Sequence, residues 1–287
     1  MKNTLTLVLL VLSLTGFGQK NPTEEAQPIV AEGKLLYKLE MASWVGTDLF
    51  LEKYKDLDNI GGYFSYIEND SAKCIFFSNV ETPKVIGTIA FDSTYNERKA
   101  KISLTERNFS QTESDLFQIR KVTLEALNTN ADGFFKFYEN TQPNIIPLIN
   151  GDDKKVYIIT GTQETDIVIF GNDYLLTFDK DNKLVAQKQL HQNILPIKYG
   201  NTDAEENVVG AMHNHSPETG DFITATDICT VMLYEEFTKW KSYNVVSEKY
   251  LNIWNCETDQ LVVVSMNIMD NIEKDQEKRN KKRKKDE

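Results

Sequence analysis

The segment that most constrains this chain is residues 210–228, with the sequence GAMHNHSPETGDFITATDI. His213 and His215 are separated by one residue, so on a β-strand both imidazole rings would point to the same face. Asp227 follows at the start of a predicted helix, from which its carboxylate could complete a metal site. Imidazole and carboxylate are both zinc ligands, and the chain contains only three histidines. The segment therefore indicates a metal site.

The same segment is also explained without a metal. Thr224 and Asp227 have the spacing of a capping box, in which each side chain accepts a hydrogen bond from the backbone amide of the other residue. Apolar residues then recur at helical spacing up to Trp240, which predicts a helix from Asp227 to about that residue. In this interpretation His213 and His215 are edge-strand histidines. The sequence leaves both alternatives open.

The pattern resembles the motif of the JAMM (MPN-type) metalloproteases, which carry H-x-H, about seven residues, and then S-x-x-D. Here His213-x-His215 is followed after eight residues by Thr224-x-x-Asp227. Thr224 stands where the family has serine, and it keeps the hydroxyl group. The similarity covers about residues 150–265. The flanking predicted elements have a similar order as well: a strand at 208–212, the helix, and strands at 243–247 and 250–255.

The resemblance implies a zinc-dependent hydrolase that cleaves amide or isopeptide bonds in a peptide or protein substrate. His213, His215 and Asp227 would hold the zinc, which polarises the scissile carbonyl and lowers the pKa of water. Thr224 would position the oxyanion or the Asp227 ligand. The implied fold of this part of the chain is a mixed-sheet domain.

The family's general base is an upstream glutamate, and three residues are candidates for that role. Glu164 lies in a predicted turn between two strands, and Glu205 and Glu206 precede the strand that leads into H-x-H. Acidic loop residues are usually solvated, and no motif distinguishes these three. The alternative function is therefore a non-catalytic envelope protein that keeps a JAMM-like scaffold for binding or assembly.

Residues 1–18 have the features of a secretory signal peptide. Lys2 provides the positive charge, residues 5–14 form a short apolar core, and small residues end the segment. The core is too short to span a bilayer, and no later segment approaches the length of a transmembrane helix. Cleavage after Gly18 would give a mature start that resembles exported proteins of Bacteroidota. The protein is therefore predicted to be periplasmic or extracellular, with no transmembrane segment after cleavage.

The composition is that of an acidic globular protein with a net charge of −11. An acidic surface argues against nucleic acid as a partner, because phosphate binding requires a positive surface. Residues 271–287 form a charged tail whose composition predicts disorder. The three cysteines allow either a disulfide between Cys229 and Cys256 or buried free thiols.

The predicted fold class is α+β. A polar leader at 19–30 precedes an N-terminal domain at 31–150, which has an antiparallel sheet and one helix that begins at Ser110. A segment with proline and glycine marks the boundary, and a JAMM-like mixed-sheet domain occupies residues 151–270. The third histidine, His191, ends a predicted strand and is interpreted as a surface residue rather than a metal ligand.

Overall fold

The computed structural model describes residues 21–200 and 208–268. Within these ranges the chain has the predicted α+β class, with three four-stranded sheets, one two-stranded ribbon and helices packed between them. The predicted signal peptide at 1–18, the tail at 271–287 and the pair Glu205–Glu206 lie outside the described residues. No helix in the described part of the chain is long and apolar enough to cross a membrane.

The first sheet is an antiparallel meander that packs against helices on both faces. The elements of this part are α1 (Pro22–Glu25), α2 (Gln27–Lys53), β1 (Ile60–Glu68), β2 (Ser71–Ser78), β3 (Val85–Phe91), β4 (Lys101–Ser103) and α3 (Gln111–Thr129). Ile75 and Phe77 of β2 pack in one core with α3, whereas Cys74 and Phe76 pack on the opposite face with α2. This division follows from the alternation of side chains along a strand.

Helix α3 begins at the predicted capping box. Ser110 Oγ accepts a hydrogen bond from the Glu113 amide at 3.2 Å, and the Glu113 carboxylate accepts one from the Ser110 amide at 2.7 Å. Arg107 donates two further hydrogen bonds to this carboxylate, and Tyr66 donates one. Burial alone would raise the pKa of Glu113, but these donors and the Arg107 charge lower the pKa to about 2. The helix start is therefore also a buried ion-pair network.

Helix α2 is the longest helix in the described part of the chain. It lies where the sequence predicted a polar leader at 19–30 and then a domain whose one helix begins at Ser110. α1 and α2 together occupy most of residues 22–53. The buried residues of α2 belong to three different cores: Val30 to one, Leu36 and Leu39 to another, and Phe50 to the third. They do not form the single apolar stripe from which an amphipathic helix is predicted.

The second sheet is antiparallel and contains the predicted domain boundary. The elements of this part are β5 (Thr141–Asn150), β6 (Asp153–Thr162), β7 (Ile167–Gly171), β8 (Tyr174–Phe178), β9 (Leu184–Gln189) and β10 (Ile194–Lys198). The sheet order is β5-β6-β8-β9, and β7 and β10 form the separate ribbon. β5 and β6 pair along their whole length. The predicted boundary between residues 150 and 151 lies in the turn of this hairpin, so it separates two paired strands.

The C-terminal sheet is the mixed sheet predicted from the sequence. Its elements are β11 (Gly210–Asn214), α4 (Ala225–Thr238), β12 (Ser242–Val246), β13 (Tyr250–Asn255) and β14 (Gln260–Ser265). β11 and β12 are parallel neighbours connected through α4, whereas the other neighbours are antiparallel. Ile228 and Val231 of α4 are fully buried in a core with this sheet and α2. The thiols of Cys74, Cys229 and Cys256 are free, so no disulfide joins the last two.

Candidate metal centre

Strand β11 carries His213, and the strand geometry continues to His215. The His215 amide donates a hydrogen bond to the Val246 oxygen at 2.8 Å, just beyond the parallel pairing of β11 with β12. The two rings therefore lie together, with centroids 4.8 Å apart. The side chain of His215 is fully buried, and that of His213 is 10% exposed. The H-x-H segment thus has the strand geometry that was predicted for it.

Asp227 is both the cap of α4 and a member of the cluster. Its Oδ2 accepts hydrogen bonds from the Thr224 amide at 3.0 Å and from the Thr224 hydroxyl at 2.8 Å. Thr224 Oγ1 also accepts from the Asp227 amide at 3.0 Å. The same carboxylate lies 3.3 Å from His215 Nε2 and 3.8 Å from His213 Nε2. The predicted capping box is therefore present, and the same carboxylate also belongs to the cluster.

His191 is not a surface residue, contrary to its interpretation from the sequence, and it is the fourth member of the cluster. Its side chain is 10% exposed, and its Nε2 lies 3.0 Å from His215 Nε2 and 3.6 Å from Asp227 Oδ2. His191 belongs to the connection between β9 and β10, which passes close to the end of β7. Gly171 permits this approach, because a Cβ atom there would lie 2.3 Å from the Asn193 oxygen.

The ligand atoms of these four side chains converge on one point. They all lie within 4.8 Å of one another. Ligand atoms of a tetrahedral zinc, each at about 2.0–2.1 Å from the ion, lie about 3.4 Å apart. The close separations in the cluster are 3.0, 3.3, 3.6 and 3.8 Å, which bracket that value. The four residues that could hold a metal ion are His191, His213, His215 and Asp227.

Each histidine is oriented by a partner on its outer ring nitrogen, Nδ1, so that Nε2 faces the centre. Contacts of this kind fix the orientation and the tautomer of histidines in metal sites. The partners are Asp173 Oδ1 at 2.7 Å from His191, Tyr243 OH at 2.7 Å from His213, and the Gly220 oxygen at 3.3 Å from His215.

These outer contacts favour a cation between the inner nitrogens of His191 and His215. The Asp173 carboxylate and the Gly220 carbonyl can only accept hydrogen bonds, so each Nδ1 must carry a proton. In neutral rings both Nε2 atoms then present lone pairs to each other at 3.0 Å, beside the Asp227 carboxylate. This arrangement is repulsive unless a metal ion or an additional proton lies among the three groups.

Two buried atoms of the cluster, His213 Nε2 and Asp227 Oδ1, have no hydrogen-bond partner within the described residues. Buried polar atoms without partners are costly and rare, and a metal at the centre would satisfy both. Burial would raise the pKa of Asp227, but the three histidines hold it well below its usual range. Burial would lower the pKa of His191, but Asp227 and Asp173 raise it to about 9. Without a metal, the two carboxylates therefore favour the protonated form of His191.

The cluster lies at the base of a cleft of about 380 Å³, which we call the metal cleft. His191 and His213 both line it, and Leu195 and Met212 are among its apolar residues. The side chains of Leu195 and Met212 are 38% and 57% exposed, so the cleft is open to solvent. No acidic side chain of the described residues lines the cleft.

The structure places Glu164, the predicted general base, outside the cluster and outside the metal cleft. Glu164 is exposed in the turn between β6 and β7, and it accepts a hydrogen bond from Asn140 Nδ2 at 2.6 Å. The acidic residue that contacts the cluster is instead Asp173, in the short link between β7 and β8. No motif in the sequence marks Asp173. It contacts the outer nitrogen of His191, so it orients a ring and does not face the centre.

No protein-family model matches this chain, and no curated protein or solved structure shows significant similarity to it. The resemblance to the JAMM metalloproteases therefore depends on H-x-H, T-x-x-D and the order of the elements around them. What the structure supports is a buried cluster of His and Asp side chains with the geometry of a metal site.

Proposed function

We propose that this is an exported zinc-binding protein in which His191, His213, His215 and Asp227 hold the ion. The observation that carries the proposal is the convergence of one ligand atom from each of these four side chains, all within 4.8 Å of one another. Three imidazoles and one carboxylate form a set of ligands that suits zinc. The two buried atoms without partners provide independent support.

The set of four protein ligands favours the non-catalytic function over the hydrolase. Four protein ligands close the coordination sphere of zinc, as in structural sites, whereas catalytic sites have three and keep an open position. The four residues come from the β9–β10 connection, from β11 and its extension, and from α4. An ion there would join the β9–β10 connection to the segment that contains β11 and the start of α4. The metal cleft beside the joined segments would then be a surface for binding a partner.

Neighbouring residues hold the ligand side chains in position. When bound, the zinc would supply a Lewis acid at the base of the metal cleft. Asp173 and Tyr243 hold the His191 and His213 rings in the orientation that ligation requires. Thr224 fixes Asp227 Oδ2 through its amide and its hydroxyl, so the carboxylate cannot rotate away. Thr224 would therefore act as a positioning residue for the ligand.

A zinc-dependent hydrolase of amide or isopeptide bonds is the second candidate, and one observation favours it. His191 and His213 line the metal cleft, so a group that enters the cleft could reach the ion if one ligand were weakly bound. This function needs a carboxylate that accepts a proton beside the reacting group. Glu164 is the candidate from the sequence, and a movement of the β6–β7 turn would be required to bring it there.

Metal analysis of the purified protein tests the first candidate. The wild-type chain, purified without chelators, should contain one zinc per chain by inductively coupled plasma mass spectrometry. His191→Ala and His215→Ala should each lose it. Asn214→Ala is the matched control, because Asn214 lies between two ligands but its side chain is exposed, and this variant should retain the metal. Zinc retained by both histidine variants would contradict the proposal.

Cobalt substitution and an activity assay separate the two candidates. The cobalt-loaded protein should have the intense visible bands of tetrahedral coordination if all four residues are ligands. In His191→Ala these bands should weaken. Quenched fluorescent peptides and an isopeptide-linked substrate should show no turnover above that of His215→Ala. Turnover that chelators abolish and that His215→Ala lacks would instead support the hydrolase and leave the metal site intact.

A further inference from the structure

A second cleft, of about 280 Å³, lies on the other side of strand β7 from the metal cleft. Ile169 lines the second cleft and Phe170 lines the metal cleft, because successive residues of a strand point to opposite faces. We call the second cavity the acidic cleft. It lies between α2, α4 and the β5–β6 hairpin, and the inference drawn from it does not depend on the proposed zinc site.

The acidic cleft contains a carboxylate without a partner. Glu40 of α2 lines it and is partly buried, and it makes no hydrogen bond or salt bridge within the described residues. Burial raises the pKa of Glu40 to about 7, and no nearby cation opposes this effect. Asp48 lies two turns further along the same face of α2 and is exposed at the cleft. No Lys, Arg or His of the described residues lines the cleft, so its charge is negative.

Three aromatic side chains line the acidic cleft together with the carboxylates. Trp44 lies between Glu40 and Asp48 on α2, and Tyr63 and Tyr234 reach the cleft from β1 and α4. Trp44 is 45% exposed, although it packs against Tyr234 with ring centroids 6.4 Å apart. Aromatic faces attract cations, and indole does so most strongly. The negative charge and the aromatic faces therefore both favour a cationic ligand.

The chemistry of the lining excludes other ligand classes. An anion would meet Glu40 and Asp48 without a compensating cation. A neutral apolar molecule would cover Glu40 without pairing it, and burial of an unpaired charge is costly. The amide side chains of Gln142 and Asn144 on β5 add hydrogen-bonding groups, which fix orientation in small-molecule sites. The volume is sufficient for one amine or guanidine head group and a short alkyl chain.

We propose that the acidic cleft binds an organic cation, an alkylammonium or alkylguanidinium group, with Glu40 as the counter-ion and Trp44 as the aromatic face. The cation could belong to a free small amine or to a Lys or Arg side chain of a peptide. Both share the chemistry that the lining recognises. Binding would supply the partner that Glu40 lacks in the free protein.

Titration calorimetry with four compounds tests the proposal on the full-length protein. The cations are Nα-acetyl-lysine methylamide, Nα-acetyl-arginine methylamide and putrescine, and the neutral control is Nα-acetyl-norleucine methylamide. The cations should bind and the norleucine compound should not. Stronger binding of the two amino-acid derivatives would identify a peptide side chain as the source, and stronger binding of putrescine would identify a free amine. Equal binding of the neutral compound, or no binding of any cation, would overturn the proposal.

Two variants and a control locate the site. Glu40→Gln keeps the shape of the side chain and should weaken binding about ten- to hundredfold, as expected for loss of a charge-assisted contact. Trp44→Leu should weaken it about two- to thirtyfold. Glu52→Gln makes the same charge change at an exposed position of the same helix and should leave the affinity unchanged. An equal loss in Glu52→Gln would show a non-specific charge effect and would contradict the proposal.

Proton release gives a readout that a purely structural role of Glu40 would not produce. A bound cation lowers the pKa of an adjacent carboxylate, and that of Glu40 is about 7 in the free protein. Near neutral pH, binding should therefore release protons, and the heat should depend on the ionisation enthalpy of the buffer. This dependence should disappear in Glu40→Gln. A buffer dependence that persists unchanged in Glu40→Gln would place the titrating group elsewhere and overturn the role of Glu40.

Discussion

Asp173 and His191 form one of the contacts that connect the His and Asp cluster to the surrounding residues. The Asp173 side chain is 3% exposed, and its carboxylate holds the outer nitrogen of His191 at 2.7 Å. Such a carboxylate orients the ring and increases its basicity toward a metal. The electrostatic environment of His191 therefore depends on Asp173, which lies outside the cluster.

We expect Asp173→Asn to lower the affinity for zinc about ten- to hundredfold. The amide oxygen can still accept from His191, so the fold should persist while the negative charge is lost. Competition with a chromophoric chelator measures the affinity. Asp181→Asn is the control, because Asp181 is an exposed residue that pairs only with the neighbouring Lys180 among the described residues. If Asp173→Asn left the affinity for zinc unchanged, Asp173 would have no role in zinc binding.

Glu113 is a second residue whose role is electrostatic. Its pKa is lowered to about 2, so its contribution to the free energy of unfolding is complete above the unfolded pKa of about 4.3. The contribution is lost as the pH falls from there through the folded pKa.

Glu113→Gln should lower the free energy of unfolding at pH 7 by about 2 kcal/mol, because the hydrogen bonds from Arg107 and Tyr66 lose the carboxylate charge that strengthens them. The difference from wild type should shrink toward pH 2. Denaturant titrations at several pH values measure both effects. Glu106→Gln breaks a pair whose Glu106 side chain is 58% exposed, and it should change stability by less than about 1 kcal/mol. A pH-independent difference would show that packing, not charge, dominates at Glu113.

The local part of the site could be predicted from the sequence, but the contributions of His191 and Asp173 could not. His213, His215 and Asp227 belong to one strand, one loop and one helix turn, so their spacing predicts that they meet. His191 and Asp173 reach the cluster only because the β7–β10 ribbon lies beside β11, and no local pattern encodes that packing. The scarcity of histidine in the chain was the one signal that could have assigned His191 to the cluster.

At the level of elements, the contact between α2 and α4 controls where Asp227 lies. Gly33 of α2 faces the first turns of α4, and a Cβ atom there would lie 2.6 Å from Ile228 Cβ and 2.9 Å from the Ala225 oxygen. Both positions are within two residues of Asp227. Displacement of this turn would move the carboxylate relative to the histidine rings.

Gly33→Ala should therefore destabilise the protein by about 1–3 kcal/mol through overpacking and should also weaken zinc binding. Gly46→Ala is the matched control on the same helix, because its Cβ atom would lie 2.9 Å from Cys74 Cβ in the first sheet. We expect a similar loss of stability with unchanged metal affinity. Thermal unfolding and chelator competition measure the two quantities. Equal loss of affinity in both variants would mean that stability alone determines binding.

Helices α2 and α4 show which elements the sequence predicts. α4 has a capping box and a continuous apolar segment, and the structure has it at Ala225–Thr238. α2 has Pro28 at its start and small residues such as Gly33, Ala42 and Gly46 at buried positions. Those small residues permit close packing against several neighbours, but they hide the periodicity from which a helix is predicted.

At the scale of the whole molecule, the proposed ion would join segments separated by more than thirty positions, from His191 to Asp227. A ligand that binds only the folded state at a thousand times its dissociation constant contributes about 4 kcal/mol. Removal of zinc with a chelator should therefore lower the melting temperature by roughly 10 °C. Calorimetry with and without the chelator measures the shift. His215→Ala should show no chelator effect, and a shift of equal size in that variant would contradict a specific site.

The first and last described elements of the chain, α1 and β14, contact each other. Thr23 Oγ1 of α1 accepts a hydrogen bond from the Val263 amide of β14 at 2.9 Å, and α2 packs against α4. Helix α1 and the start of α2 thus complete their packing only with strands and a helix that lie much later in the chain. Contacts with such sequence separation slow folding. Until residue 263 has been synthesised, the apolar surface around Val30 of α2 lacks its final partners and stays accessible to chaperones, proteases and other nascent chains.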